Sequence, residues 1–156
     1  AVKAMQDAAT ALNRDMARTA KNYRFDVTTS TAPIAGSLPI FVTWSTSLPG
    51  GAAGSARWVL GADRRPTEGW VQLNSNLFRT DAPWQRGETA ADHAARNQNT
   101  ADSFTSNLGH EAYGHVGIGL KDRTAADNGL MSYGGDVQQI DACTNRDVNA
   151  ALGIPD

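Results

Sequence analysis

The apolar residues near the start of the chain recur at the spacing expected of a helix. The stripe that they form consists of Ala4, Ala8, Leu12, Met16 and Ala20. Charged side chains fall largely off this stripe, as they do on a helix that packs one face into a core. The pattern therefore predicts a helix over residues 2–23 with a packing role.

Short stretches with the apolar–polar alternation of β-strands follow this helix. They cover residues 24–29, 39–46, 56–61 and 70–74. The second of these stretches is rich in β-branched and aromatic residues and has the strongest strand propensity of the four. A glycine-rich loop at 48–55 and a polar turn at 63–69 separate the later strands. The loop is either a spacer, which we favour, or a loop that faces a substrate.

Further helices are predicted in the second half of the chain. Thr89 and Asp92 have the spacing of a capping box, which would open a short helix. A longer helix is expected over residues 100–116 and a last one over residues 144–152. The buried stripe expected on the longer helix consists of Phe104, Leu108 and Ala112.

Composition limits the classes of function that the chain can serve. Its 156 residues are 40% hydrophobic, which suits a single domain over residues 1–156 with an ordinary core. A net charge of −2 provides no basic face for nucleic acid, and no apolar run is long enough to span a bilayer. Cys143 is the only cysteine, so the chain cannot form an internal disulfide.

Two of the three histidines lie in one short motif, His-Glu-Ala-Tyr-Gly-His, at residues 110–115. A neutral imidazole is a ligand that suits zinc. Glu111, between the two histidines, is the type of residue that accepts a proton from a water bound to such a metal. A glycine-rich segment and Asp122 follow, and together these features favour a metal site over two surface histidines.

The spacing of the two histidines requires a widened helix. The signature of zinc proteases places its histidines four residues apart, whereas His110 and His115 are five apart. At about 100° per residue, a regular α-helix would turn the two rings about 140° away from each other. One added residue in the turn, a π-bulge, would realign them, and Gly114 is suited to absorb that distortion.

The motif resembles the expanded zinc motif His-Glu-x-x-Gly-His of the dipeptidyl peptidase III family. The residues downstream resemble the metzincin metallopeptidases, in which the second histidine is followed by a glycine, then a histidine or aspartate, then a methionine turn. Residues 115–122 and the Gly-Leu-Met-Ser-Tyr segment at 129–133 carry this likeness. The aspartate variant is similar to the small bacterial snapalysin-type proteases. This chain has one extra residue between its histidines and one more before Gly119.

The resemblance implies one zinc ion held by His110, His115 and Asp122, with a fourth position open for water. Glu111 would then serve as the general base. Other residues remain alternatives for the third ligand, namely His93, Asp127, Asp136 and Asp141.

The resemblance also implies roles for residues that support the site. Met131 would pack beneath the zinc ligands as a soft, polarisable floor. Tyr133 either stabilises the oxyanion of the reaction or packs in the lower part of the domain. Gly119 would end the active-site helix and turn the chain.

In metzincins the strand at the position of residues 70–74 lies antiparallel to the bound peptide. If this holds here, the chain binds the main chain of a substrate by strand addition. An edge strand without a ligand is the equal alternative. The residues concerned are Trp70, Val71, Gln72, Leu73 and Asn74.

The fold implied is α+β, a small metzincin-like domain with a mixed twisted sheet over the active-site helix. Its lower part would be irregular and would carry the methionine turn and the C-terminal helix. Metzincins begin with a strand before their first helix, whereas here a helical pattern starts at the first residues. Either that strand is absent, or it lies in chain that has been cut away. The second alternative implies a domain from a larger exported polypeptide, which acts outside the producing cell.

The function implied is hydrolysis of peptide bonds in a peptide or protein substrate, by an endopeptidase rather than an exopeptidase. Two alternatives stay open. The first is a cell-wall peptide hydrolase, or a toxin or effector domain, that uses the same zinc site. The second is a non-catalytic binding module with a structural or vestigial zinc.

Overall fold

The computed structural model describes residues 2–19, 24–28, 30, 32–79, 83–122, 131 and 150–151. Within these residues the fold is mixed α and β, with two α-helices and a three-stranded sheet. In chain order the elements are helix α1 (Val2–Thr19), strand β1 (Ile40–Ser45), a short 3-10 turn (Pro49–Gly51), strands β2 (Gly54–Leu60) and β3 (Pro66–Asn74), helix α2 (Ala90–Gly109) and a π-helix (His110–Ile118).

The sheet has the strand order β1-β3-β2, with β1 parallel and β2 antiparallel to β3. The alternation of residues 70–74 predicts a half-buried or an edge strand, and the edge strand is excluded because β3 has a partner strand on both sides. Apolar–polar alternation does not distinguish the two, because a central strand with one solvent-facing side shows the same pattern as an edge strand. β3 also begins at Pro66, inside the predicted turn, since a proline is tolerated as the first residue of a strand.

The predicted strand at residues 24–29 is absent from the described part, where residues 24–28 lie in no strand. The side-chain amide of Asn13 takes the place of a partner strand. It donates to the Phe25 carbonyl and accepts from the Phe25 N–H, both at 2.7 Å. The alternation instead reflects packing, because Phe25 and Val27 lie against the core cluster around α1.

The two helices predicted between residues 89 and 116 are one continuous helix. Thr89 caps α2, and the capping box with Asp92 is present as predicted. Helical backbone then runs without interruption through Gly109 into the π-helix. None of the helices in the described residues is both long and apolar enough to cross a membrane.

The apolar residues form two clusters on either side of the π-helix. One lies between α1 and the π-helix and includes Met131. The other joins the sheet to α2 and the π-helix, around Val71, Leu73 and Leu108. These two contacts hold the π-helix between α1 and the sheet, and so fix the helix that carries the histidines.

Candidate metal centre

The π-helix brings the two histidines of the motif together. The His110 and His115 rings meet edge to face, with their centroids 4.8 Å apart. A π-helix bonds each residue to the fifth one along, so residues at this spacing lie one above the other. The widening predicted from the spacing is therefore confirmed, and it extends over nine residues rather than one bulge. Gly114 is buried in the middle of it.

A left-handed glycine ends this helix and turns the chain back towards the histidines. Gly119 has φ 81° and ψ 24°, and its N–H bonds to the His115 carbonyl at 2.8 Å. The Leu120 N–H bonds to the Gly114 carbonyl at 2.9 Å. This turn matches the prediction for Gly119, and it places Asp122 beside the two imidazole rings.

Asp122 contacts both histidines through a single oxygen. Its Oδ1 atom lies 2.9 Å from Nε2 of His110 and 3.0 Å from Nε2 of His115. The ligand atoms of the three residues all lie within 4.8 Å of one another. The structure therefore assembles the three predicted ligands into a group that could hold a metal ion.

The hydrogen bond made by Nδ1 of His115 determines which ring nitrogen has a lone pair for a metal. Nδ1 lies 2.7 Å from the carbonyl oxygen of Leu120, which can only accept a hydrogen bond. Nδ1 must therefore carry the proton, and the neutral ring presents a lone pair at Nε2. Burial lowers the pKa of His115, which disfavours its protonated form in the metal-free protein. A backbone carbonyl in this position is the usual orienting partner of a metal-bound histidine.

Glu111 lies beside the three candidate ligands and is nearly enclosed, with 6% of its surface exposed. Burial is the main reason why its pKa is raised to about 7, and the negative charge of Asp122 adds to the effect. The carboxylate lies against the backbone of Gly54, the first residue of β2. An ideal Cβ placed on Gly54 would be 2.6 Å from Oε1 of Glu111.

β2 also supplies the aromatic wall of the site. The Trp58 ring stacks on His115 with centroids 5.5 Å apart and planes inclined by 16°. The cleft beside the ligands has a volume of about 380 Å³. Its sheet side is lined by Ala52, Gly54, Ser55, Ala56 and Trp58. Lys121 completes the lining together with the three ligand residues and Glu111.

The predicted substrate strand does not border this cleft. Val71 and Leu73 are fully buried in the core between sheet and helix. Trp70 lies on a different surface, stacked with Phe41 and covered by the guanidinium of Arg57. Gln72 and Asn74 do not line the cleft either. The structure therefore does not bring residues 70–74 to this cleft, and the strand that borders the cleft is β2.

For this side of the site, the alternative that the loop at residues 48–55 faces a substrate is the one signal in the sequence, since Ala52, Gly54 and Ser55 line the cleft. Ala56 and Trp58 have the pattern of ordinary strand residues. These residues reach the site only because the strand order places β2 outside β3.

His93, an alternative for the third ligand, belongs to a separate cluster. Its ring is parallel to that of Trp84 at 4.2 Å, and Nδ1 lies 3.1 Å from Oε2 of Glu88. Arg96 hydrogen-bonds the same carboxylate and lowers the pKa of Glu88 to about 2. His93 precedes His110 by 17 residues of one helix, which separates them by roughly 25 Å.

Several predicted residues lie outside the described part of the chain. These are Tyr133, Cys143 and the alternative ligands Asp127, Asp136 and Asp141. Of the predicted C-terminal helix only residues 150–151 are described, and they are helical. Met131 is described and is 1% exposed, packed in the cluster with Tyr113, Ile118 and Leu120.

Comparison with known proteins identifies no relative, since no protein-family model, no curated protein and no solved structure matches this chain.

Proposed function

We propose that the chain is a zinc-dependent peptidase whose metal ligands are His110, His115 and Asp122. The observation that carries the proposal is the contact between Nε2 of His115 and Oδ1 of Asp122, 3.0 Å apart. Nδ1 of His115 holds the ring proton, so this contact joins two lone pairs. Two acceptors at this distance repel each other unless a cation, either a proton or a metal ion, lies between them. Because burial disfavours protonation of His115, a metal ion is the better candidate for that cation.

The donor set fits zinc. Two imidazole nitrogens and one carboxylate oxygen form a common catalytic zinc shell, which leaves one position for water or substrate. Ligands about 2.0–2.2 Å from a tetrahedral zinc lie roughly 3.3–3.5 Å from each other. Each Nε2 atom lies 2.9–3.0 Å from the carboxylate oxygen here, so these two separations need to lengthen by only a few tenths of an ångström. All three ligand atoms lie within 4.8 Å of one another.

Hydrolysis is supported by the position of Glu111 on the side of the cleft. When bound, zinc supplies a Lewis acid that polarises the scissile carbonyl and acidifies a water molecule. Glu111 accepts the proton of the attacking water and returns it to the leaving amine. In the metal-free protein, burial raises the pKa of this enclosed carboxylate to about 7, and a carboxyl group whose pKa is raised in this way can take up a proton more readily than an exposed one.

A peptide substrate is supported by the exposed edge of β2. Among the described residues, no strand pairs with the edge of β2 that faces away from β3. Its backbone N–H and C=O groups can therefore bind an extended peptide as an added strand. β2 continues past the ligands to Leu60, so such a peptide extends to both sides of the site. This geometry favours cleavage within a chain over removal of a terminal residue.

The test is metal content and hydrolysis of an unfolded protein, measured on protein purified without added metal. We expect about one zinc per chain in wild type, in Glu111→Gln and in the control His93→Ala, and none in His115→Ala. Only wild type and His93→Ala should hydrolyse the substrate, because Glu111→Gln keeps the ligands but loses the base.

The other outcomes separate the alternatives. Absence of zinc from wild type, even after incubation with the metal, would contradict the proposed site. Zinc without hydrolysis of protein or of isolated cell-wall peptide would favour a binding module. Hydrolysis of cell-wall peptide alone would favour a wall hydrolase with the same centre.

A further inference from the structure

We propose that Gly54 is a positioning residue for Glu111. Because glycine has no Cβ, this point of β2 leaves the space that the Glu111 side chain occupies. For its catalytic consequence this inference rests on the proposed peptidase function. Its structural part, the dependence of Glu111 on the glycine, can be tested without any activity.

The contact between Gly54 and Glu111 leaves no room for a side chain. An ideal Cβ on Gly54 would lie 2.6 Å from Oε1, 2.7 Å from Cγ and 3.0 Å from Cδ of Glu111. These distances are shorter than van der Waals contact along the length of the glutamate, so a rotation of its terminal carboxylate alone cannot relieve them. Even an alanine at this position must displace the whole side chain or the strand.

The strand is the less able of the two to move. Gly54 pairs with Leu73 of β3, and Leu73 is fully buried in the core between sheet and helix. A shift of β2 at this point would break that pairing and disturb the packing behind it. Glu111, by contrast, lies at the border of a cleft into which its side chain can turn. An added methyl group at residue 54 should therefore move the glutamate.

The metal ligands are not part of this contact. The atoms that a Cβ on Gly54 would meet most closely all belong to Glu111. His115 is held by the Leu120 carbonyl and by the ring of Trp58, four residues further along β2. The residues that orient the metal ligand His115 are therefore different from the glycine that positions Glu111.

The first test is the kinetics of Gly54→Ala. Misplacing a reacting group by about 1 Å can cost about 100-fold in rate. We expect kcat to fall about 100-fold, while KM and zinc affinity change by less than about 3-fold. The matched control is Gly61→Ala beyond the other end of β2, where a Cβ meets Asp63 and Thr67 outside the cleft. This control should leave kcat unchanged, and an equal loss of kcat in both variants would overturn the inference.

The second test is a double-mutant cycle on the unfolding midpoint of the metal-free protein. Gly54→Ala should lower the midpoint in wild type but not in a Glu111→Ala background, where the atoms that clash are gone. Gly61→Ala should have the same effect in both backgrounds. If Gly54→Ala alone does not fold, the double variant should restore folding.

The two proposals fail in different ways. An equal destabilisation by Gly54→Ala in both backgrounds would overturn the inference, whatever the activity of the protein. Absence of hydrolysis in wild type would contradict the peptidase function and leave the cycle to decide whether Gly54 places Glu111.

Discussion

The imidazole rings of His110 and His115 lie 4.8 Å apart, edge to face, although the residues are five apart in the chain. The relationship depends on the π-helical hydrogen bonding of residues 110–118. In a regular α-helix the two rings would point in different directions. The motif has one residue more than the usual zinc-protease spacing. The widened helix accommodates this residue, so the two imidazole rings still lie side by side.

The proposed role of Asp122 as third ligand predicts a loss of metal affinity in Asp122→Asn. The amide removes the negative charge that both Nε2 atoms face, so zinc affinity should fall by at least about 100-fold. Asp102→Asn is the matched control, because Asp102 is exposed on α2 and accepts a hydrogen bond from Gln98 one turn earlier in the same helix. Titration with a competing chelator measures both variants. A loss of affinity in Asp127→Asn, Asp136→Asn or Asp141→Asn instead would assign the third ligand elsewhere.

The stacking of Trp58 on His115 predicts that the indole helps to orient this ligand. Trp58→Ala removes the flat wall beside the ring and should weaken zinc binding about 10-fold, whereas Trp58→Phe retains an aromatic face and should lose less. Trp84→Ala, which changes the stack on the distant His93, should leave the affinity unaltered. Equal affinity in all three variants would mean that the Leu120 carbonyl alone orients the ring.

The raised pKa of Glu111 predicts how the stability of the metal-free protein depends on pH. Folding raises this pKa from 4.5 to about 7. At a pH between these two values, Glu111 is therefore protonated in the folded state and ionised in the unfolded state. The contribution of protonated Glu111 to the unfolding free energy is complete below pH 4.5, declines between pH 4.5 and pH 7, and is lost above pH 7. The difference corresponds to about 3 kcal/mol of unfolding free energy.

Glu111→Gln should remove this decline, and denaturant unfolding at pH 5 and pH 8 measures it. Glu68→Gln on β3 retains Glu111 and should keep the wild-type decline. An unchanged decline in Glu111→Gln would show that Glu111 is not the group responsible.

The capping box of α2 predicts a loss of stability that leaves the site intact. Thr89 accepts a hydrogen bond from the Asp92 N–H, so Thr89→Ala should lower the unfolding free energy by about 1 kcal/mol. Because the cap lies at the opposite end of the helix from the histidines, zinc content should stay at the wild-type level. Thr89→Ser keeps the hydroxyl and should restore most of the stability. A loss of zinc in Thr89→Ala would mean that the metal centre depends on the far end of the helix.

Local features of the site were predictable from the sequence because they depend on neighbouring residues. The motif supplies the two imidazoles and Glu111, and its five-residue spacing demands a widened helix, which the structure has. Gly119 takes the left-handed conformation that ends this helix, as expected of a glycine after the last turn. Asp122 follows within three residues, so the turn itself delivers it to the histidines.

Tertiary structure alone decided which strand borders the site. Apolar–polar alternation shows that residues 70–74 are extended, but it is the same in a central and an edge strand, so the order β1-β3-β2 was not predictable from it. Only that order brings Gly54 against Glu111 and Trp58 against His115. The amino-acid sequence by itself determined the residues of the candidate metal centre and the form of their helix. Strand pairing between distant parts of the chain determined which residues surround them. The strand order depends on how the whole sheet packs against the π-helix, and a local sequence pattern does not contain that information.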